Sequence, residues 1–132
     1  MIIDHVGVAV ESIEAALPFY RKALGLEVTH EEIVAPQKVK VAFLQAGHAF
    51  IELLEPTAPD GPVARFLKKR GPGIHHVAFA VKKIEEHMKR LEQQGLPPLD
   101  RAPRPGARGH QVCFLAPKLA HGVLVELVEN EA

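Results

Sequence analysis

One cysteine, one tyrosine and no tryptophan occur among the 132 residues. The lone cysteine, Cys113, excludes an internal disulfide and favours a reducing compartment, so a cytoplasmic location is expected. It also argues against a thiolate-built structural zinc site. Formal net charge at pH 7 is zero. No field of one sign therefore points to nucleic acid or to an anionic membrane. The longest apolar runs are far too short to span a bilayer. With a β-rich stretch already running from Ile2, no signal or transit peptide is expected. What is present is ordinary for a soluble chain: 47% apolar and 24% charged residues, at a length that suits one domain with its own core.

Within that plain composition one pattern stands out. Asp4-His5-Val6-Gly7-Val8-Ala9-Val10 is matched by His75-His76-Val77-Ala78-Phe79-Ala80-Val81. Ile51-Glu52-Leu53-Leu54-Glu55 is matched by Val125-Glu126-Leu127-Val128-Glu129. The offsets are 76 − 5 = 71 and 126 − 52 = 74. The chain thus reads as two similar halves, each with a histidine near its start and a glutamate on its last strand.

Periodicity fills in the halves. Residues 2–10 alternate and read as a strand. Ser12 is a helix cap, although Ala15 stands where a capping box would carry Glu. Ile13, Ala16, Leu17, Tyr20 and Leu24 give a helical stripe over roughly 12–23, with Pro18 inside it and Gly25 as its stop. Strands follow at Leu26–Ile33, Val39–Leu44 and Ala49–Leu54, with a hairpin turn at 45–48. Residues 57–62 form a linker. A short helix then carries Val63, Phe66 and Leu67 on one side and Arg65, Lys68, Lys69 and Arg70 on the other. The second half repeats the order: strand Ile74–Val81, a helix on Ile84, Met88 and Leu91, a short broken strand after Leu96, then strands Gln111–Leu115 and Val123–Val128. The loop 101–109 is rich in Arg, Pro and Gly. The predicted fold is α+β, two tandem βαβββ modules forming a curved mixed sheet around one metal site. A single domain over 1–132 is expected, with module 1 at about 1–56, linker and helix at 57–72, and module 2 at about 73–132.

A lone strand histidine is most often a half-buried residue satisfied by backbone, and a strand glutamate most often faces water. The repeat makes His5, Glu52, His76 and Glu126 more than four such cases, because one rule places them all. Neutral imidazole and carboxylate suit Mn²⁺, Fe²⁺, Co²⁺, Ni²⁺ or Zn²⁺. Four protein ligands in an octahedral site would leave two positions for a chelating substrate. His76 aligns with His5, so His75, one residue away, should face elsewhere. Glu55 and Glu129 lie at strand ends and are expected to be solvated.

These residues resemble the vicinal oxygen chelate superfamily, and within it the methylmalonyl-CoA epimerase family. The likeness covers nearly the whole chain and rests on HVGVAV at 5–10, FIELLEP at 50–56, PVARFLKKRGPGIHHVAFAV at 62–81, PRPGARG at 103–109, FLAPK at 114–118 and GVLVELVE at 122–129. The resemblance implies one divalent metal per subunit, usually Co²⁺, held by His5, Glu52, His76 and Glu126, with Mn²⁺, Ni²⁺ or Zn²⁺ as substitutes. It implies a homodimer of propionate metabolism acting on an acyl-CoA, with no nucleic acid or membrane partner. The implied reaction interconverts (2R)- and (2S)-methylmalonyl-CoA through a metal-stabilised enolate.

Epimerisation needs a proton taken from one face of C2 and returned to the other, hence two acid–base groups. The resemblance offers Glu126 as one. Some relatives carry a glutamate on the third strand of the first module, where this chain has Val41. Lys40, Gln37 through water, or a metal-bound water are the substitutes the sequence offers. Arg104, Arg108 and Lys118 are candidates for the anionic CoA tail, since guanidinium suits phosphate. The competing readings are a glyoxalase I-like lyase, an extradiol-type dioxygenase, and a metal-free small-molecule-binding protein of the same fold.

Overall fold

Alternation of side chains from Ile2 onward produces strand β1 (Ile2–Ala9), and the order that follows is that of a repeated unit. The computed structural model describes residues 1–130. The first half runs β1, helix α1 (Ile13–Pro18), β2 (Glu27–Val34), β3 (Val39–Ala46) and β4 (Ala49–Pro56). Helix α2 (Pro62–Arg70) follows. The second half runs β5 (Gly73–Val81), α3 (Ile84–Gln93), β6 (Arg104–Pro105), β7 (Gln111–Leu115) and β8 (Val125–Glu129). This is the βαβββ order read from the sequence, twice over. The chain divides into two compact units, His5–His75 and Met1–Asp4 together with His76 onward.

In the first unit the strands lie in the order β2-β3-β4-β1. β1 pairs parallel with β4, and the other neighbours are antiparallel. The helix between β1 and β2 supplies the crossover that a parallel pair requires. α1 covers one face, where Val10, Ile13, Ala42, Leu44 and Leu53 form a buried cluster. Burying each of the larger of these side chains contributes roughly 1.5–3 kcal/mol. The second unit repeats the arrangement as β5-β8-β7-β6, with β5 parallel to β8. α3 packs on Val81, Cys113 and Leu127 through Ile84 and Met88.

Pro18 explains a local departure. It lacks an amide proton, and after it Phe19–Ala23 winds as a π-turn, with Leu24 N–H donating to Phe19 O at 3.2 Å. Gly25 then takes a φ of +71°, which ends the helix. The predicted broken strand after Leu96 shrinks to the two residues of β6.

Glu55 and Glu129 differ from the expectation of solvated strand ends. Glu55 Oε1 accepts the N–H of Ile13 at 2.7 Å, and Glu129 Oε2 accepts the N–H of Ile84 at 3.1 Å. Each last strand therefore supplies a carboxylate to the first turn of its own unit's helix, where amide protons have no partner in the helix and negative charge is favoured. In α1 this adds to Ser12, whose Oγ accepts Ala15 N–H at 3.1 Å. In α3 the cap residue is Lys83 and makes no side-chain cap bond, so Glu129 carries the end alone.

Glu129→Ala is expected to lower stability by about 1 kcal/mol, the usual cost of a lost N-terminal cap. Glu55→Ala should cost less, because Ser12 remains. Urea unfolding of the two variants checks the order.

Candidate metal centre

The face of each sheet turned away from its helix carries the polar residues that the repeat singled out. In an antiparallel ladder directly opposed residues share a face. In the first unit Phe43 on β3 stands opposite Glu52 on β4, and Gly7 on β1 stands on the other side of Glu52. In the second unit Phe114 on β7 stands opposite Glu126 on β8, with Ala78 of β5 on its other side. The small residue beside each glutamate leaves space for the carboxylate to lean toward the histidine two positions earlier on the parallel strand. His5 Nε2 lies 3.1 Å from Glu52 Oε1. His76 Nε2 lies 3.0 Å from Glu126 Oε1. The phenylalanine meets the imidazole edge-on in both units, at 5.5 Å for His5 and Phe43 and 5.9 Å for His76 and Phe114.

All four ionisable side chains belong to residues no more than 6% exposed. A carboxylate so far from water is costly unless positive charge or hydrogen-bond donors surround it. The set of two imidazoles and two carboxylates could hold a metal ion. On donor chemistry it fits a borderline divalent cation. His75, the competing histidine, instead meets Phe66 of α2 at 5.1 Å between ring centroids.

The three candidates for an anionic tail have different surroundings. Arg104 is exposed; its Nε lies 3.3 Å from Asp100, and its guanidinium sits 5.1 Å from the centre of the Phe114 ring. Asp100 also accepts the backbone N–H of Phe114 at 2.8 Å. Arg104 thus stands above the ring that backs His76. Lys118 is exposed on the short 3₁₀ turn Pro117–Ala120. Arg108 is largely buried and donates a close hydrogen bond to Asp4, whose other carboxylate oxygen accepts from Asn130 Nδ2 at 3.2 Å. Arg108 holds this place with a φ of +58°, a left-handed conformation uncommon for a residue with a Cβ.

Lys40 and Val41 also find their places. Val41 is buried, opposite Leu54 and on the face of Glu52. Lys40 opposes Glu55 and lines the groove beside α1, on the other face. One imidazole–carboxylate pair was left aside by the sequence reading. On β2, His30 Nε2 lies 2.9 Å from Glu32 Oε1, and the register sets His30 opposite Phe43 and Glu32 opposite Val41. No motif marks this pair. The only signal is two polar residues at strand spacing.

Cys113 is fully buried under α3. Burial, with the nearby carboxylates of Asp100 and Glu126, pushes its thiol up to about 12.

Arg108→Ala is expected to destabilise the protein by about 3 kcal/mol, because it removes a charged donor from the buried Asp4 carboxylate. Arg104→Ala should change stability by less than about 1 kcal/mol, because the arginine is exposed and Asp100 keeps the Phe114 N–H. Thermal and urea unfolding separate the two. In addition, the native protein at pH 8 should resist iodoacetamide at Cys113, since thiolate is the reactive form. Alkylation at the rate of a free thiol would contradict that placement.

The chain has identifiable relatives. Residues 4–114 match the family model described as the Glyoxalase/Bleomycin resistance protein/Dioxygenase superfamily. An uncharacterized protein of Bacillus subtilis is 47% identical over 96% of this chain and 91% of its own length. The ethylmalonyl-CoA/methylmalonyl-CoA epimerase of Cereibacter sphaeroides is 39% identical over 95% of each chain. Among solved structures, a variant of Streptomyces coelicolor methylmalonyl-CoA epimerase in complex with 2-nitronate-propionyl-CoA superposes with a TM-score of 0.95. It is 38% identical, covering 100% of this chain and 96% of that one.

Proposed function

We propose, for a chain that belongs to the Glyoxalase/Bleomycin resistance protein/Dioxygenase superfamily and within it to the methylmalonyl-CoA epimerase family, that it is a metal-dependent epimerase of methylmalonyl-CoA. The observation that carries the reading is the pair of buried imidazole–carboxylate contacts, repeated once in each half. A protein that only sequestered small apolar molecules would gain nothing from burying four ionisable groups, and their desolvation is costly. The similarity to acyl-CoA epimerases over nearly the full length of both chains favours this chemistry over a glyoxalase or dioxygenase reaction.

His5, Glu52, His76 and Glu126 would hold one divalent cation, with cobalt(II) proposed and Mn²⁺, Ni²⁺ or Zn²⁺ as substitutes. When bound, the cation supplies Lewis acidity against the negative charge that develops on the thioester oxygen. Glu126 takes the C2 proton, or returns it in the reverse direction. Buried beside Phe114, its carboxylate is shielded from bulk water, which strengthens its interactions with the reacting atoms. Phe43 and Phe114 limit the rotation of His5 and His76 and keep each Nε2 directed at its carboxylate. Arg104 and Lys118, both exposed, are proposed to meet the phosphates of the CoA tail as charge-assisted donors. Arg108, proposed from the sequence for the same task, has its guanidinium committed to Asp4 and would contribute by fixing the loop that carries Arg104. A homodimer and a cytoplasmic place in propionate metabolism complete the proposal. Among the described residues no helix is long and apolar enough to cross a membrane.

The test is solvent deuterium exchange at C2 of methylmalonyl-CoA, on metal-loaded and chelator-stripped protein. Exchange with loss of stereochemistry should appear only in the loaded form. His76→Ala should lose both the metal and turnover while keeping a cooperative unfolding transition. A loaded protein that leaves C2 untouched would sink the substrate assignment. Full activity in His76→Ala would sink the site.

A further inference from the structure

In the first unit the phenylalanine beside the imidazole is backed by a full edge strand. β2 pairs with β3 along its length, and His30 stands opposite Phe43. Val28 is opposite Leu44, so two steps along β2 match one step along β3, and Thr29 is the extra residue. Its Oγ1 donates to Phe43 O at 3.4 Å. Val28 packs with the cluster under α1. The extra residue reverses the phase, so His30 and Glu32 turn to the face of Phe43 and Glu52. The ring centre of Phe43 lies 6.1 Å from that of His30 and 5.5 Å from that of His5.

The second unit lacks such a strand. β6 has two residues, with Arg104 opposite Val112. Carried further, it would bring Ala102 opposite Phe114. Pro103 has no amide proton to give the ladder, and the pairing stops there. Pro105 holds Arg104 extended. Gly106 lets the chain pass close to β7, since a Cβ there would lie 2.7 Å from Val112 Cγ1. The backbone of Phe114 is met instead by the segment before β6. Leu99 N–H donates to Phe114 O at 2.8 Å, and Phe114 N–H donates to Asp100 Oδ2 at 2.8 Å. The other Asp100 oxygen lies 3.3 Å from Arg104 Nε, and that guanidinium sits 5.1 Å from the centre of the Phe114 ring. The ring in turn meets His76 at 5.9 Å, with 86° between the planes.

We propose that Asp100 is a positioning residue of the epimerase: it holds Phe114 against the imidazole of His76, through the strand backbone and through Arg104. The assignment rests on the epimerase reading. Both anchors end on one carboxylate, whose side chain is only 18% exposed. A cation over a ring face attracts the ring electrostatically, so Phe114 cannot turn without losing that contact. Phe114 also stands opposite Glu126 in the register, and Glu126 Oε1 lies 3.0 Å from His76 Nε2. A shift of Phe114 therefore reaches both members of the pair. Groups one step behind a ligating histidine set its orientation. Asp100 does so here with one side chain, where the first unit uses a strand.

Asp100→Ala should lower kcat for epimerisation by about 10-fold, the usual scale for loss of a group behind a ligand, with KM little changed. It should also shift the visible absorption bands of the cobalt(II)-loaded protein, which report ligand geometry. Asp100→Asn keeps an acceptor for Phe114 N–H and should fall between the parent and Asp100→Ala in both measurements. A group that only stabilised the loop would lower the unfolding midpoint and leave kcat and the bands of the folded variants at parent values; that result overturns the assignment. A raised KM at unchanged kcat overturns it too, because Asp100 would then act only on the hold of Arg104 on the CoA tail. Parent turnover with an unaltered Asp100→Ala removes this inference alone. A cobalt-loaded parent protein without turnover removes the epimerase reading and this inference with it.

Discussion

Burying a carboxylate against an imidazole is the interaction around which each half is arranged. Glu52 and Glu126 lie among apolar neighbours on a central strand, where a lone charge would be among the most expensive groups to fold. Each is brought to a histidine by a parallel strand pair, and a parallel pair cannot be closed by a hairpin. The helix between the first two strands of each unit follows from that need. So do the small residues Gly7 and Ala78 beside the glutamates, and the phenylalanines that close over the imidazoles.

The same last strand serves two purposes because side chains alternate across it. Glu52 points away from the helix, while Glu55, three residues on, points toward it and holds its first amide proton. Glu126 and Glu129 repeat this in the second unit. One strand thus carries both the buried carboxylate that meets the imidazole and the carboxylate that seats the helix.

Much of this was legible in the chain. The offset between the halves marked His5, His76, Glu52 and Glu126, and strand alternation set His75 apart from His76. The capping role of Glu55 and Glu129 was carried by the same offset. It was missed because a strand-end glutamate looks solvated unless the helix it faces is known. The commitment of Arg108 to Asp4 joins residues 104 positions apart, a distance no local pattern spans. His30 and Glu32 escaped for a different reason. Alternation assigns faces only while the period holds, and an extra residue in a strand breaks the period without altering composition or hydrophobicity.

That last point reaches beyond this chain. The direction in which the His30–Glu32 pair points depends on the number of residues in β2, not on their identity. Loss of Thr29 from the chain would keep both side chains yet turn them under the helix. In a lineage built on this fold, such a pair can therefore be gained or lost by a single insertion or deletion, with every neighbouring residue type preserved. Column-by-column matching of side chains would then report the pair as present in proteins where it faces the wrong side of the sheet.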